Sequence, residues 1–215
     1  MEPTFFTMAT LCSRIAIDFR RESQQNAGAL ATVGYGTALA PVRTAIRQGK
    51  RIEVVATETR PKLQGARLTA FELKQDKIPV TLITDTMVGH VMQNRMVSKV
   101  IVGADRILAT GHVVNKIGTL AVAILANHFR IPFYAAAPHS SFDLKARPDQ
   151  VVIEERDPRE IAFVGDYRIA PKGVQTLNPA FDITEPELIT GIITNLGVIH
   201  QPLEENIMRL LGREL

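Results

Sequence analysis

"KVIVGADRILATGHVVNKIGTLAVAILANHFRIPFYAAA", residues 99–137, decides the fold. It opens on an apolar run (99–104), turns polar at Asp105-Arg106, carries a helical pattern in "NKIGTLAVAILANHF" and returns to an apolar run, "IPFYAAA" (131–137). Neither apolar run alternates in and out, which is the pattern of strands covered on both faces. Strand, helix and strand in that order predict a parallel β-α-β unit.

The same rhythm extends upstream. "IEVVA" (52–56) and "VTLIT" (80–84) read as further strands. "LATVGYGTALAPVRTAIRQG" (30–49), "KLQGARLTAFELKQD" (62–76) and "DTMVGHVMQNR" (85–95) read as the helices around them. The expected class is α/β: a doubly wound, mainly parallel Rossmann-like sheet with helices on both faces. Beyond residue 140 the rhythm loosens through "PHSSFDLKARPDQ" into a Pro-rich segment. Thr184-Glu185-Pro186-Glu187 has capping-box spacing and predicts a helix over "EPELITGIIT" (185–194), with a last amphipathic helix over 203–212. "MATLCSRIAIDFRRE" (8–22) fits a helix or a strand.

At 215 residues and 46% apolar composition, the chain can bury one substantial core. The net charge of +3 comes without a Lys/Arg block interleaved with aromatics, which argues against a nucleic-acid partner. Cys12 is the sole cysteine, so no internal disulfide can form and a reducing, cytoplasmic setting is expected. Acidic Glu2 and the interruption at Arg14 do not fit a signal peptide, and no apolar run reaches the length of a membrane span.

In parallel sheets ligands sit beyond the carboxyl ends of the strands. The polar residues at those exits are Arg60, Gln64, Gly65 and Arg67, then Asp85-Thr86, Asp105-Arg106, and Pro138-His139-Ser140-Ser141 with Asp143. Asp105 follows four largely apolar residues, so desolvation would raise its pKa and suit it to general-acid work. It could equally cap a turn or pair with Arg106. Asn115-Lys116, read at a helix start, offers donors to an anion, or an ordinary N-cap beside a solvated lysine. The glycine-rich stretch 26–37 suits either a nest of N–H groups around a phosphate or close helix–sheet packing. It contains no Walker motif and no clean GxGxxG, the histidines lack metal spacing, and GxSxG is absent.

Taken together, "NAGALATVGYGTAL", "ETRPKLQGARLTAFEL", "VIVGADRI", "VVNKIGT", "FYAAAPHSSFDL" and "RIAPKGVQTLNPAFDITEPELIT" resemble the methylthioribose-1-phosphate isomerases. These share a superfamily with the regulatory subunits of initiation factor 2B. The resemblance runs from Asn26 to about Ile199 and divides the chain into a divergent segment, 1–25, and an isomerase-like α/β domain, 26–215. It implies conversion of an aldose 1-phosphate to a ketose 1-phosphate in methionine salvage, with no metal or organic cofactor, by a homodimer. It further implies that Asp105 is the proton donor, that Gln64, Asn115 and Lys116 bind substrate, and that Gly28 and Ala29 lie in a loop beside it.

Two departures matter. The family's catalytic cysteine, immediately before "NAG", is here Gln25, and an amide cannot act as a thiolate. The family's N-terminal helical domain, with its Arg-Gly-Ala motif, does not precede residue 26. A fragment, a mis-joined reading frame or a natural truncation would each give this sequence, and little or no turnover is expected from the chain alone. The alternatives are a non-catalytic regulatory subunit that senses a phosphorylated ligand, and a ribose-1,5-bisphosphate isomerase.

Overall fold

The computed structural model describes residues 5–9 and 38–212. In chain order the elements are β1 (Phe5–Ala9), α1 (Ala40–Arg47), β2 (Ile52–Thr57), α2 (Ala70–Gln75), β3 (Val80–Ile83) and α3 (Val88–Gln93). Next come β4 (Lys99–Gly103), β5 (Arg106–Leu108), β6 (Val113–Lys116), α4 (Thr119–His128), β7 (Phe133–Ala136) and β8 (Phe142–Asp143). The chain ends with α5 (Arg159–Ala162), β9 (Phe163–Val164), β10 (Tyr167–Arg168), β11 (Phe181–Thr184), β12 (Gly191–Thr194), β13 (Gly197–His200) and α6 (Leu203–Leu211).

The fold is mixed α/β. A seven-stranded sheet runs in the order β13-β12-β7-β4-β1-β2-β3. Every neighbouring pair from β12 to β3 is parallel, and β13 is antiparallel at the edge. Side chains alternate across a strand, so continuous Val/Ile runs need cover on both faces. Val55, Val100, Val102 and Ile192 pack in one core cluster with Val91 and Met92 of α3, Ala123 of α4 and Ile207 of α6. Their neighbours Ile52 and Val54 join a separate cluster with Val42 of α1 and Leu73 of α2, and Ile101, Ala136 and Ile193 form a third. A smaller sheet, β11-β6-β5-β8, grows from the carboxyl end of β4, and β9 pairs with β10 as a hairpin.

Two expectations change. The helix anticipated over "EPELITGIIT" is a single 3-10 turn, Pro186–Leu188, followed by strand β12. Ile and Thr at 189–194 are β-branched and suit a strand, and β12 gains a parallel partner in β7. Thr184 makes no cap; it is fully buried in β11. Asn115-Lys116 is the end of strand β6 rather than a helix start; α4 begins at Thr119, after Gly118 at φ 100°. In the undecided amino-terminal stretch, Met8 and Ala9 end strand β1, which lies between β2 and β4, with Met8 opposite both Val55 and Val100.

Candidate active site

The parallel strands release their carboxyl ends along one edge, and the polar residues follow there: the 58–64 turn after β2, Asp85 after β3, Asp105 after β4 and 138–143 after β7. Asp105 lines a cavity of about 560 Å³ with Arg106 and the 140–145 segment. Its backbone N–H donates to the Val114 carbonyl at 3.0 Å, so it sits across the β5–β6 hairpin from Asn115. The desolvation expected from the preceding apolar run is not present: Asp105 is exposed, because β4 ends at Gly103 and the chain has left the sheet. Nor does Arg106 pair with it. Arg106 reaches Asp143, 3.6 Å away, a half-exposed pair that contributes little to stability.

Gln64 stands on a turn of unusual backbone. Thr59 and Leu63 have φ of 63° and 55°, in the left-handed region that side-chain-bearing residues avoid. The Asp85 carboxylate holds this turn, accepting the N–H groups of Thr59 (2.9 Å) and Arg60 (2.7 Å). Gly65 follows because nothing larger fits: a Cβ there would lie 1.9 Å from the Thr57 carbonyl oxygen. Gly65–Thr69 then forms a π-helical turn, a feature often found at functional sites. The Gln64 side-chain oxygen is buried and has no hydrogen-bond partner among the described residues. A buried acceptor left without a donor is costly, and a ligand hydroxyl would satisfy it.

Asn115 is buried, and its side-chain amide donates to the Thr119 hydroxyl at 2.9 Å; that hydroxyl donates to the Lys116 carbonyl at 2.7 Å. The Lys116 ammonium lies 4.6 Å from the centre of the Phe181 ring, within cation–π range. Burial holds this ammonium below the usual lysine value, and the nearby Arg156 charge adds to the effect.

An acidic side chain that the strand-exit reading did not single out completes this corner. Asp182 accepts the Gly118 N–H at 2.7 Å and the Leu120 N–H at 3.1 Å. Burial pushes its carboxyl up to about 6, against the pull of these two amides. It sits within the quoted "NPAFDIT", but no strand-end rule marks it, because β11 belongs to the small sheet.

The 154–163 segment braces the 58–64 turn. Glu160 bonds Lys62 at 3.0 Å and lies 3.4 Å from Arg156, while the Asn178 amide reaches it at 3.2 Å. Desolvation pushes the Glu160 carboxyl up, but the bonds from Lys62 and Asn178 win and hold it below its usual range. The Arg60 guanidinium donates to the Ile161 carbonyl at 3.0 Å. Gln64 and Asp105 thus lie beyond the exits of β2 and β4, while Asn115 and Lys116 end β6, with Asp105 and Asn115 on one hairpin. Gln25, Gly28 and Ala29 lie outside the described residues, as does the amino-terminal part of the helix anticipated over 30–49. Among the described residues no group of three His, Cys, Asp or Glu side chains is arranged to hold a metal ion. No helix of those residues is long and apolar enough to cross a membrane.

A parallel sheet with Gln64 and Asp105 beyond its strand ends, and a small sheet that brings Asn115 and Lys116 beside Asp105, define an α/β protein with a polar candidate site at the sheet edge. The sequence pattern of the Initiation factor 2 subunit family matches residues 10–201, and the chain belongs to that family. The methylthioribose-1-phosphate isomerase of Desulforamulus reducens is 55% identical over 186 residues, covering 86% of this chain and 54% of that protein. The crystal structure of translation initiation factor eIF-2B, subunit delta, from A. fulgidus superposes with a TM-score of 0.88 at 50% identity, covering 99% of this chain and 58% of the other. That of 5-methylthioribose 1-phosphate isomerase from Pyrococcus horikoshii superposes at 0.87 with 42% identity, covering 98% and 55%. The chain spans about half the length of the relatives it matches.

Proposed function

We propose that this site binds a sugar 1-phosphate and is built for its aldose–ketose isomerisation, with methylthioribose 1-phosphate as the substrate. One observation carries the reading: the Asp105 N–H to Val114 carbonyl bond, which puts the acid that lines the cavity on one hairpin with the Asn115-Lys116 donors. The high identity to isomerases supports the choice of substrate. Phosphate on the anomeric oxygen prevents simple opening to a free aldehyde, so the ring has to be opened by acid. Asp105 donates a proton to the ring oxygen as its bond to C1 breaks. Hydrogen then moves with its electron pair from C2 to C1, the C2 hydroxyl gives its proton to the Asp105 carboxylate and so regenerates the acid, and C2 becomes the ketone with the 1-phosphate intact. Lys116 and Asn115 hold the anion and a hydroxyl, and Gln64 accepts from a second hydroxyl.

Gln25 stands at the cysteine position of this reading, so turnover by the chain itself is low and Gln25→Cys raises it. Gly28 and Ala29 lie beside the substrate. The sheet is used as a doubly wound, Rossmann-like platform within a cytoplasmic homodimer that binds no nucleic acid; size-exclusion with light scattering tests the dimer. Incubation with methylthioribose 1-phosphate tests the activity. Product formed by Gln25→Cys and lost on adding Asp105→Asn supports the reading; the same rate with and without Asp105→Asn overturns it.

The resemblance to an eIF-2B subunit, together with Gln25, favours one second reading: a non-catalytic subunit that senses a phosphorylated ligand. Calorimetric binding of the same sugar phosphate, with no turnover even in Gln25→Cys, is its signature. Faster turnover of ribose 1,5-bisphosphate in the same assay would instead move the substrate to that sugar.

A further inference from the structure

We propose that Asp182 is a positioning residue that clamps the 116–120 turn and so presents Asn115 and Lys116 to a phosphosugar; this rests on the binding reading above. Asp182 lies directly opposite Asn115 in the antiparallel β11/β6 ladder. From there its two carboxylate oxygens reach the Gly118 and Leu120 N–H groups, 2.7 and 3.1 Å away. These amides belong to the first turn of α4, where backbone N–H groups have no partner within the helix and favour a negative charge. Gly118, at φ 100°, gives the turn a conformation that other residues avoid, and nothing near it would obstruct a side chain. The bonds from Asp182 therefore hold the turn from outside.

The held turn controls Asn115 through one intermediate. Thr119 lies between the two clamped amides, accepts the Asn115 side-chain amide and anchors itself on the Lys116 carbonyl. Lys116 is placed from the same strand, because its ammonium lies over Phe181, the residue before Asp182. One dipeptide of β11, Phe181-Asp182, thus positions both donors of the site. The carboxylate is held where burial works against its charge, which distinguishes it from an exposed helix cap.

The test compares the intact chain with Asp182→Asn, which keeps the shape but turns an amide group toward one of the two N–H donors. Calorimetric titration with methylthioribose 1-phosphate is read beside 1H–15N spectra of the Gly118 and Leu120 amides and the Asn115 side-chain amide. Binding at least tenfold weaker, with a shifted Asn115 side-chain signal and a small change in Tm, is expected. Affinity within twofold of wild type, or an unmoved Asn115 signal, overturns the clamp. If Asp182→Asn does not fold, Thr119→Val breaks the same path one step later, and the same two outcomes decide. If wild type itself does not bind the sugar phosphate, the phosphosugar reading fails on its own. The spectra then still judge the clamp: a shifted Asn115 signal supports it, and an unmoved one overturns it.

Discussion

Asp182 faces Asn115 across the β11/β6 ladder, and its carboxylate fastens the turn that follows Lys116. Asp85 does the same for the 58–64 turn, fastening Thr59 and Arg60 ahead of Gln64. In both places a carboxylate from one strand end takes two backbone N–H groups of a neighbouring turn.

Asp182 makes stability depend on pH with a definite sign. The unfolded carboxyl titrates near 3.8 and the native one at about 6, so between these values the native state holds more protons. Asp182's contribution is therefore fully present below 3.8 and lost as pH rises through about 6. Urea unfolding from pH 3.5 to 7.5 should show Asp182→Asn gaining on wild type across that window, with a constant difference above it. A difference that does not vary with pH would refute this origin.

Removing the Asp85 carboxylate leaves two turn amides without their charged acceptor and frees Thr59 from a strained φ of 63°. Asp85→Ala should cost about 2–4 kcal/mol, given roughly 1.5–3 kcal/mol for each bond to a charged group and partial rescue by water. Denaturant titration measures this, and sugar-phosphate affinity should fall with it because Gln64 rides on the same turn.

Gly65 tolerates no side chain. In Gly65→Ala the new methyl would meet the Thr57 carbonyl oxygen at 1.9 Å, so β2 or the π-helical turn must shift. The expected cost is about 3 kcal/mol, a fall in Tm of roughly 6–12 °C for a chain of this size. Calorimetry that finds Gly65→Ala as stable as wild type would show that the turn yields freely.

Much of the sheet was legible in the sequence because its inner strands, covered on both faces, are largely apolar, and even the edge strand β3, with Thr81 and Leu82 exposed, is rich in β-branched residues. "IEVVA", "VTLIT", "KVIVGA" and "IPFYAAA" all carry parallel strands, at 52–57, 80–83, 99–103 and 133–136. Strand β12 reads as a helix in the sequence because Thr184 and Glu187 imitate a capping box, while the partner strand that outweighs local capping is 57 residues upstream in β7. Gln64 and Asp105 could be picked out from strand exits, Asn115 and Lys116 read as a helix start that is in fact the end of β6, and Asp182 is not marked by any such rule. Its importance comes from register against Asn115, a long-range pairing that no local pattern reports. The exposure of Asp105 was likewise hidden, since the apolar run before it does not reveal that the chain leaves the sheet at Gly103.

The most direct measurement is turnover of methylthioribose 1-phosphate by the intact chain, Gln25→Cys, and Gln25→Cys combined with Asp105→Asn. The predicted result is little ketose phosphate from wild type, a clear rise with Gln25→Cys, and its loss on adding Asp105→Asn. A rate that is the same with and without Asp105→Asn, or no product from Gln25→Cys, would contradict the assignment of Asp105 as the proton donor of an isomerase site.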